Sequence, residues 1–122
     1  MDEQPTFAEI AKRGFGIRID NLNLLPDMVK KDLIQAIFIC NAGMNRSVKA
    51  ARESNAQGVK SVYLEGGLVD LTGPEVDLGR VAGFIKTVPK RVVFVGEEGE
   101  LPYYQELVDL LGAEVVTTMR QR

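Results

Sequence analysis

The chain has 122 residues, 45% hydrophobic and 26% charged with a formal net charge of −2, so a single domain spanning 1–122 with a real core is expected. An isoelectric point near 5.2 argues against the broad basic face that nucleic-acid binding usually needs. Histidine is absent and cysteine occurs once. Ser-His-Asp and Cys-His pairs are therefore excluded, as is an internal disulfide, and a zinc site would have to be built almost wholly from carboxylates. No metal and no cofactor is expected.

The opening Met1-Asp2-Glu3-Gln4-Pro5 is acidic and polar, unlike a secretory leader, and no apolar stretch reaches membrane-spanning length. The expectation is a cytoplasmic chain with no membrane partner. Phe15 to Ile19 reads as a short strand, followed by a turn-like Asp20-Asn21-Leu22-Asn23. Pro26 to Gln35 reads as a helix, with Pro26 in its first turn and Leu25, Met28, Val29, Leu33 and Ile34 forming an apolar face. Ala36 to Cys40 is a continuous apolar run of strand length, the pattern of a strand buried on both faces.

Arg46 to Gln57 reads as a helix stopped by Gly58, and Val59 to Leu64 as a strand ending at Glu65-Gly66-Gly67. Pro74 to Phe84 predicts a helix whose buried side includes Val76, Leu78, Val81, Ala82 and Ile85. Arg91 to Val95 predicts a strand closed by the loop Gly96-Glu97-Glu98-Gly99-Glu100. Tyr103 to Leu111 then predicts a helix stopped by Gly112, with Tyr103 and Tyr104 packing it, and Glu114 to Thr118 a last strand. Strands alternating with helices across short glycine-containing loops imply an α/β domain with a parallel, doubly wound sheet and helices on both faces. Ligands of such sheets bind at the carboxyl ends of the strands, where the strand order reverses.

The segment Cys40-Asn41-Ala42-Gly43-Met44-Asn45-Arg46-Ser47 occupies such a position, following a central strand and opening a helix. Backbone N–H groups of Asn41, Ala42, Gly43, Met44, Asn45 and Arg46, turned together at a helix N-terminus, are donors in want of an anion. Gly43 suits the tight turn. Arg46 offers a planar fork for two oxygens of a tetrahedral oxyanion. The same positive field is expected to draw the Cys40 thiol below its free value near ~8.5. Ser47 is placed to donate to the sulfur and improve it as a leaving group.

The string Cys-Asn-Ala-Gly-x-x-Arg-Ser resembles the signature of protein tyrosine phosphatases, and its inner residues are similar to those of the dual-specificity branch. Ile39 stands where that branch carries a histidine. The low-molecular-weight tyrosine phosphatases also lack that histidine, and their doubly wound sheet resembles the alternation read here. Cys40 through Leu71, with Arg46-Ser47, Ala50-Ala51, Gly58, Val62, Leu64 and Gly66-Gly67, is also similar to the end of a rhodanese domain. Sulfurtransferase rhodaneses usually have one residue fewer between cysteine and arginine, and the longer loop is that of the rhodanese-like cell-cycle phosphatases.

The phosphatase resemblance implies a phosphocysteine intermediate on Cys40, stabilised by Arg46 and Ser47, with a phosphorylated protein or a small phosphomonoester as substrate. It also implies a carboxylic acid that protonates the leaving oxygen. Asp20 is preferred, because it follows a strand and precedes the loop in the order used by dual-specificity enzymes. Asp70, Glu97, Glu98 and Glu100 are the other candidates. Pro102-Tyr103-Tyr104 resembles a segment of the low-molecular-weight enzymes, with Leu101 where they carry aspartate. Two further functions fit the loop: sulfur transfer through a Cys40 persulfide, and phosphate binding without turnover.

Overall fold

A computed structural model describes residues 16–42, 45–87, 91–97 and 99–118. Five parallel strands form one sheet: β1 (Gly16–Ile17), β2 (Ala36–Ile39), β3 (Ser61–Leu64), β4 (Arg91–Glu97) and β5 (Glu114–Thr118). Their spatial order is β1-β3-β2-β4-β5. A short 3₁₀ helix (Ile19–Leu24) and five α-helices connect them: α1 (Leu25–Lys30), α2 (Arg46–Ala56), α3 (Gly67–Leu71), α4 (Leu78–Thr87) and α5 (Leu101–Leu111). The doubly wound α/β expectation is the fold observed.

The strand order explains how the helices divide between the faces. Three connections, from β1 to β2, β3 to β4 and β4 to β5, move across the sheet in one direction, and the connection from β2 to β3 moves the other way. Parallel crossovers are right-handed, so reversing direction puts α2 on the opposite face from the other helices. The apolar clusters follow this division. Ile37, Ile39, Val62, Leu64, Val92 and Phe94 pack with Leu22, Leu25, Met28, Leu68, Ile85, Val108 and Leu111 on the multi-helix face. Ala36, Phe38, Val93 and Val95 pack with Ala51 of α2 on the other. Central β2 is buried at every position, and Ile37 pairs with both Val62 and Val92, as the unbroken apolar run predicts.

Several boundaries differ from the sequence reading, each for a local reason. α1 stops at Lys30, five residues short of the expected end at Gln35. Asp32 takes a left-handed φ of 56°, and the Asp32 and Leu33 amides donate back to the Val29 and Met28 carbonyls at 2.9 and 2.8 Å, closing the helix. Asp20 to Asn23, expected to be turn-like, belong to the 3₁₀ helix, which also takes Ile19 from the expected first strand. α4 begins at Leu78 because the Asp77 carboxylate accepts from the Arg80 amide at 3.2 Å, a cap that outweighs Pro74 as a start signal. β4 runs through Gly96 to Glu97 because both residues pair with β5, opposite Thr117 and Thr118. Phe15, placed in the first strand by sequence, lies outside the described residues. No helix among them is long and apolar enough to cross a membrane.

Candidate functional site

β2 and β4 are neighbours, yet their following segments leave in opposite directions, β2 toward β3 and β4 toward β5. A crevice must open between diverging connections at the carboxyl ends of such strands. A cavity of about 230 Å³ lies there, lined by Cys40, Asn41, Ala42, Asn45, Arg46 and Glu100. The sequence-predicted loop and the start of α2 therefore supply five of the six lining residues. Gly43 and Met44 lie outside the described residues, as does the turn expected of Gly43.

Cys40 sits just past β2 and is only 3% exposed. Its sulfur lies 3.1 Å from the hydroxyl of Ser47, which is fully buried in the first turn of α2. The pairing expected from sequence is thus present. The other end of α2 is pinned to β3, where the Asn55 amide donates to the Ser61 carbonyl at 3.0 Å and accepts from the Ser61 N–H at 2.7 Å. Ser47 is therefore held against Cys40 by a helix fixed at both ends. Asn45 makes no side-chain cap on α2, and the first turn carries no acidic residue of its own.

Arg46 reaches toward the segment after β4. Its two terminal nitrogens meet Glu100 at 2.6 Å and Glu97 at 3.4 Å. Its Nε–H is buried and has no acceptor among the described residues. A buried, unpartnered donor on a charged group costs about 1–3 kcal/mol or more. Glu100 accepts three hydrogen bonds, from Arg46, from the Glu97 amide at 2.8 Å and from the Asn41 side-chain amide at 3.3 Å. Gly96 makes room for this fold-back, since a Cβ there would lie 2.6 Å from the Phe94 ring and 3.3 Å from a Glu100 oxygen.

The loop is also held from β3. The amides of Leu68 and Val69 in α3 donate to the Cys40 and Asn41 carbonyls, each at 3.0 Å. Gly66 and Gly67, at φ 81° and 57°, make the turn that aims those amides at the loop, a conformation costly for any residue with a side chain. The Gly-Gly pair, legible in the sequence as a turn, thus supports the Cys40 segment.

The candidate acids are sorted by this geometry. Asp20 lies in the 3₁₀ helix and lines a different cavity, about 420 Å³, with Glu75, Asp77, Arg80 and Phe84, none of which lines the Cys40 cavity. Chain order suggested Asp20. Strand order sets β1 two strands away from β2, with β3 between them. Asp70 is exposed on α3 and does not line the cavity, and Glu98 lies outside the described residues. Among the described residues, Glu97 and Glu100 are the carboxylates that the fold brings to Arg46. Tyr103, expected to pack the last helix, is 84% exposed, whereas Tyr104 packs near Phe94 with ring centroids 6.5 Å apart. The Tyr104 hydroxyl donates to the side-chain oxygen of Asn41. Sequence reasoning missed this contact, and only the recurrence of polar residues opposite the loop could have suggested it. Comparison with family models, curated proteins and solved structures finds no match to this chain.

Proposed function

We propose that the chain is a cysteine-dependent phosphatase acting on phosphotyrosine or a related phosphomonoester. The observation that carries this reading is the shared cavity of Cys40 and Arg46, in which a sulfur paired with buried Ser47 accompanies a guanidinium whose Nε–H is buried without an acceptor among the described residues. A phosphoryl oxygen entering the cavity meets Arg46, which lines it, and the start of α2 favours the same charge.

In the first step the Cys40 thiolate attacks phosphorus. An S–P bond forms, the bond to the leaving oxygen breaks, and a carboxylic acid protonates that oxygen. Arg46 follows the charge on the equatorial oxygens. In the second step water attacks phosphorus, the carboxylate takes its proton, and the P–S bond breaks to restore the thiolate. Ser47 donates to the departing sulfur. Glu97 suits the acid role better than Asp20: it does not line the cavity either, but it meets Arg46, which does, with 41% of its side chain exposed and at a long 3.4 Å. Glu100, engaged as an acceptor by three donors, suits holding Arg46 instead. A reducing compartment such as the cytoplasm fits a lone reactive thiol.

Parallel assays on an aryl phosphate and on thiosulfate with cyanide test the reading. Phosphate release that disappears in Cys40→Ser, with no thiocyanate formed, is the expected result. Phosphate release that survives the substitution overturns the mechanism. Thiocyanate without phosphate release assigns the loop to sulfur transfer, and oxyanion binding with neither product assigns it to binding alone.

A further inference from the structure

The Arg46 side chain emerges from the first turn of α2, and its terminal nitrogens meet Glu97 and Glu100 on the other side of the crevice. What fixes Arg46 is in turn fixed by a longer chain of contacts. The Tyr104 hydroxyl donates to Asn41, the Asn41 amide donates to Glu100 at 3.3 Å, and Glu100 accepts from Arg46 at 2.6 Å. The hydroxyl of Tyr104 determines which way the Asn41 carboxamide faces. With its oxygen engaged by Tyr104, Asn41 turns its NH₂ group toward Glu100, and only that orientation attracts the carboxylate. Glu100 then offers one oxygen to Asn41 and the other to Arg46 and the Glu97 amide.

We infer that Tyr104 and Asn41 are positioning residues that set the Arg46 guanidinium for an oxyanion by orienting Glu100. The inference rests on the oxyanion reading of the loop. Asn41, expected from sequence to serve the anion through its backbone, gains a separate role through its side chain. Tyr104 does not line the cavity. Its effect reaches the ligand through Asn41, Glu100 and Arg46 in series, and such a series has a signature: breaking any link costs about as much as breaking two.

Inorganic phosphate is the probe, with its dissociation constant measured by calorimetry on the full chain and its inhibition constant measured against an aryl phosphate. Tyr104→Phe keeps the ring that packs near Phe94 and removes only the hydroxyl. Asn41→Ala removes the next link. Each variant is expected to bind phosphate about 3- to 10-fold more weakly, and the double variant no more weakly than the worse single one. KM for an aryl phosphate rises by the same factor while kcat changes less. The Arg46 Nε–H resonance, expected to shift when phosphate binds to the parent chain, shifts less at equal occupancy in Tyr104→Phe. Thermal unfolding of each variant shows whether its fold is kept.

Unchanged phosphate affinity in a folded Tyr104→Phe overturns the inference, as do single losses that multiply in the double variant. Absence of phosphate binding to the parent chain also overturns it, together with the oxyanion reading. The two proposals can fail separately. Weakened binding in the variants without any hydrolysis by the parent chain keeps the positioning network and removes the phosphatase. Hydrolysis that is indifferent to Tyr104→Phe and Asn41→Ala does the reverse.

Discussion

Two of the cavities are each lined by an arginine and at least one carboxylate, yet their arginines are used differently. In the larger, about 420 Å³, Arg80 lies over the Phe84 ring at 5.8 Å and Asp77 is occupied in capping α4. Those polar groups serve the helix that carries them. In the smaller, about 230 Å³, Arg46 leaves its own helix to meet Glu97 and Glu100, and one of its donors stays buried and unmatched. Cavity volume and charged lining do not distinguish the two. A donor left unsatisfied among the described residues, in the arginine that shares a cavity with the Cys40 thiol, does, because native structures rarely leave such a group without a partner.

The comparison breaks most readily at the arginines. Arg46→Lys is expected to lower kcat/KM for an aryl phosphate by about 10²- to 10³-fold, because a point charge cannot replace the fork. Arg80→Lys should leave it within about 2-fold; a comparable loss there would place the site in the larger cavity. The acids sharpen the contrast. Glu97→Gln is expected to slow hydrolysis of an alkyl or unactivated aryl phosphate by about 10²-fold or more while sparing a substrate with a strongly acidic leaving phenol. Asp20→Asn should spare both, and a leaving-group-dependent loss in Asp20→Asn instead would restore the acid suggested by chain order.

Smaller effects concern the support of the loop. Gly67→Ala is expected to cost about 1–2 kcal/mol in denaturant unfolding, since φ at that position is left-handed, and to raise KM by loosening the α3 amides from Cys40 and Asn41. Unchanged stability would show that the turn relaxes without strain. The smallest effect is expected far from the site, where the Arg91 guanidinium hydrogen-bonds Glu114 at 2.8 Å and holds its carboxyl below the ordinary carboxylate value. A depressed folded-state value adds stability at pH above the unfolded carboxylate range, and this is lost as pH falls through the folded value. Glu114→Gln should therefore flatten the acid limb of the unfolding curve slightly and leave neutral-pH phosphate binding unchanged. Both residues are more than half exposed, so salt should erase most of the difference.

Much of this was legible in the sequence. The run Ala36 to Ile39 announced a strand buried on both faces, and the Cys-x5-Arg-Ser spacing placed a thiol, a hydroxyl and a guanidinium at one helix start. Those features are local, and local spacing survives folding unchanged. The stop of α1 at Asp32 was harder to see, because an aspartate in the left-handed region is uncommon and Leu33 and Ile34 continue an apolar pattern that a helix could also use. Asp77 outcompeted Pro74 as a start signal for a similar reason: both are valid punctuation, and the cap that satisfies a backbone donor prevails.

By itself the sequence determined the alternation of strands and helices, the buried central strand and the Cys40–Ser47 loop, because each depends on residues within a few positions of one another. Only the tertiary structure decided which carboxylates face Arg46. That choice depends on β4, not β1, lying beside β2, and strand order follows from the direction and handedness of crossovers spanning dozens of residues. It brought Glu97, Glu100 and Tyr104 to the loop and left Asp20 beyond β3, so the groups that complete the site come from a part of the chain 51 to 63 positions away.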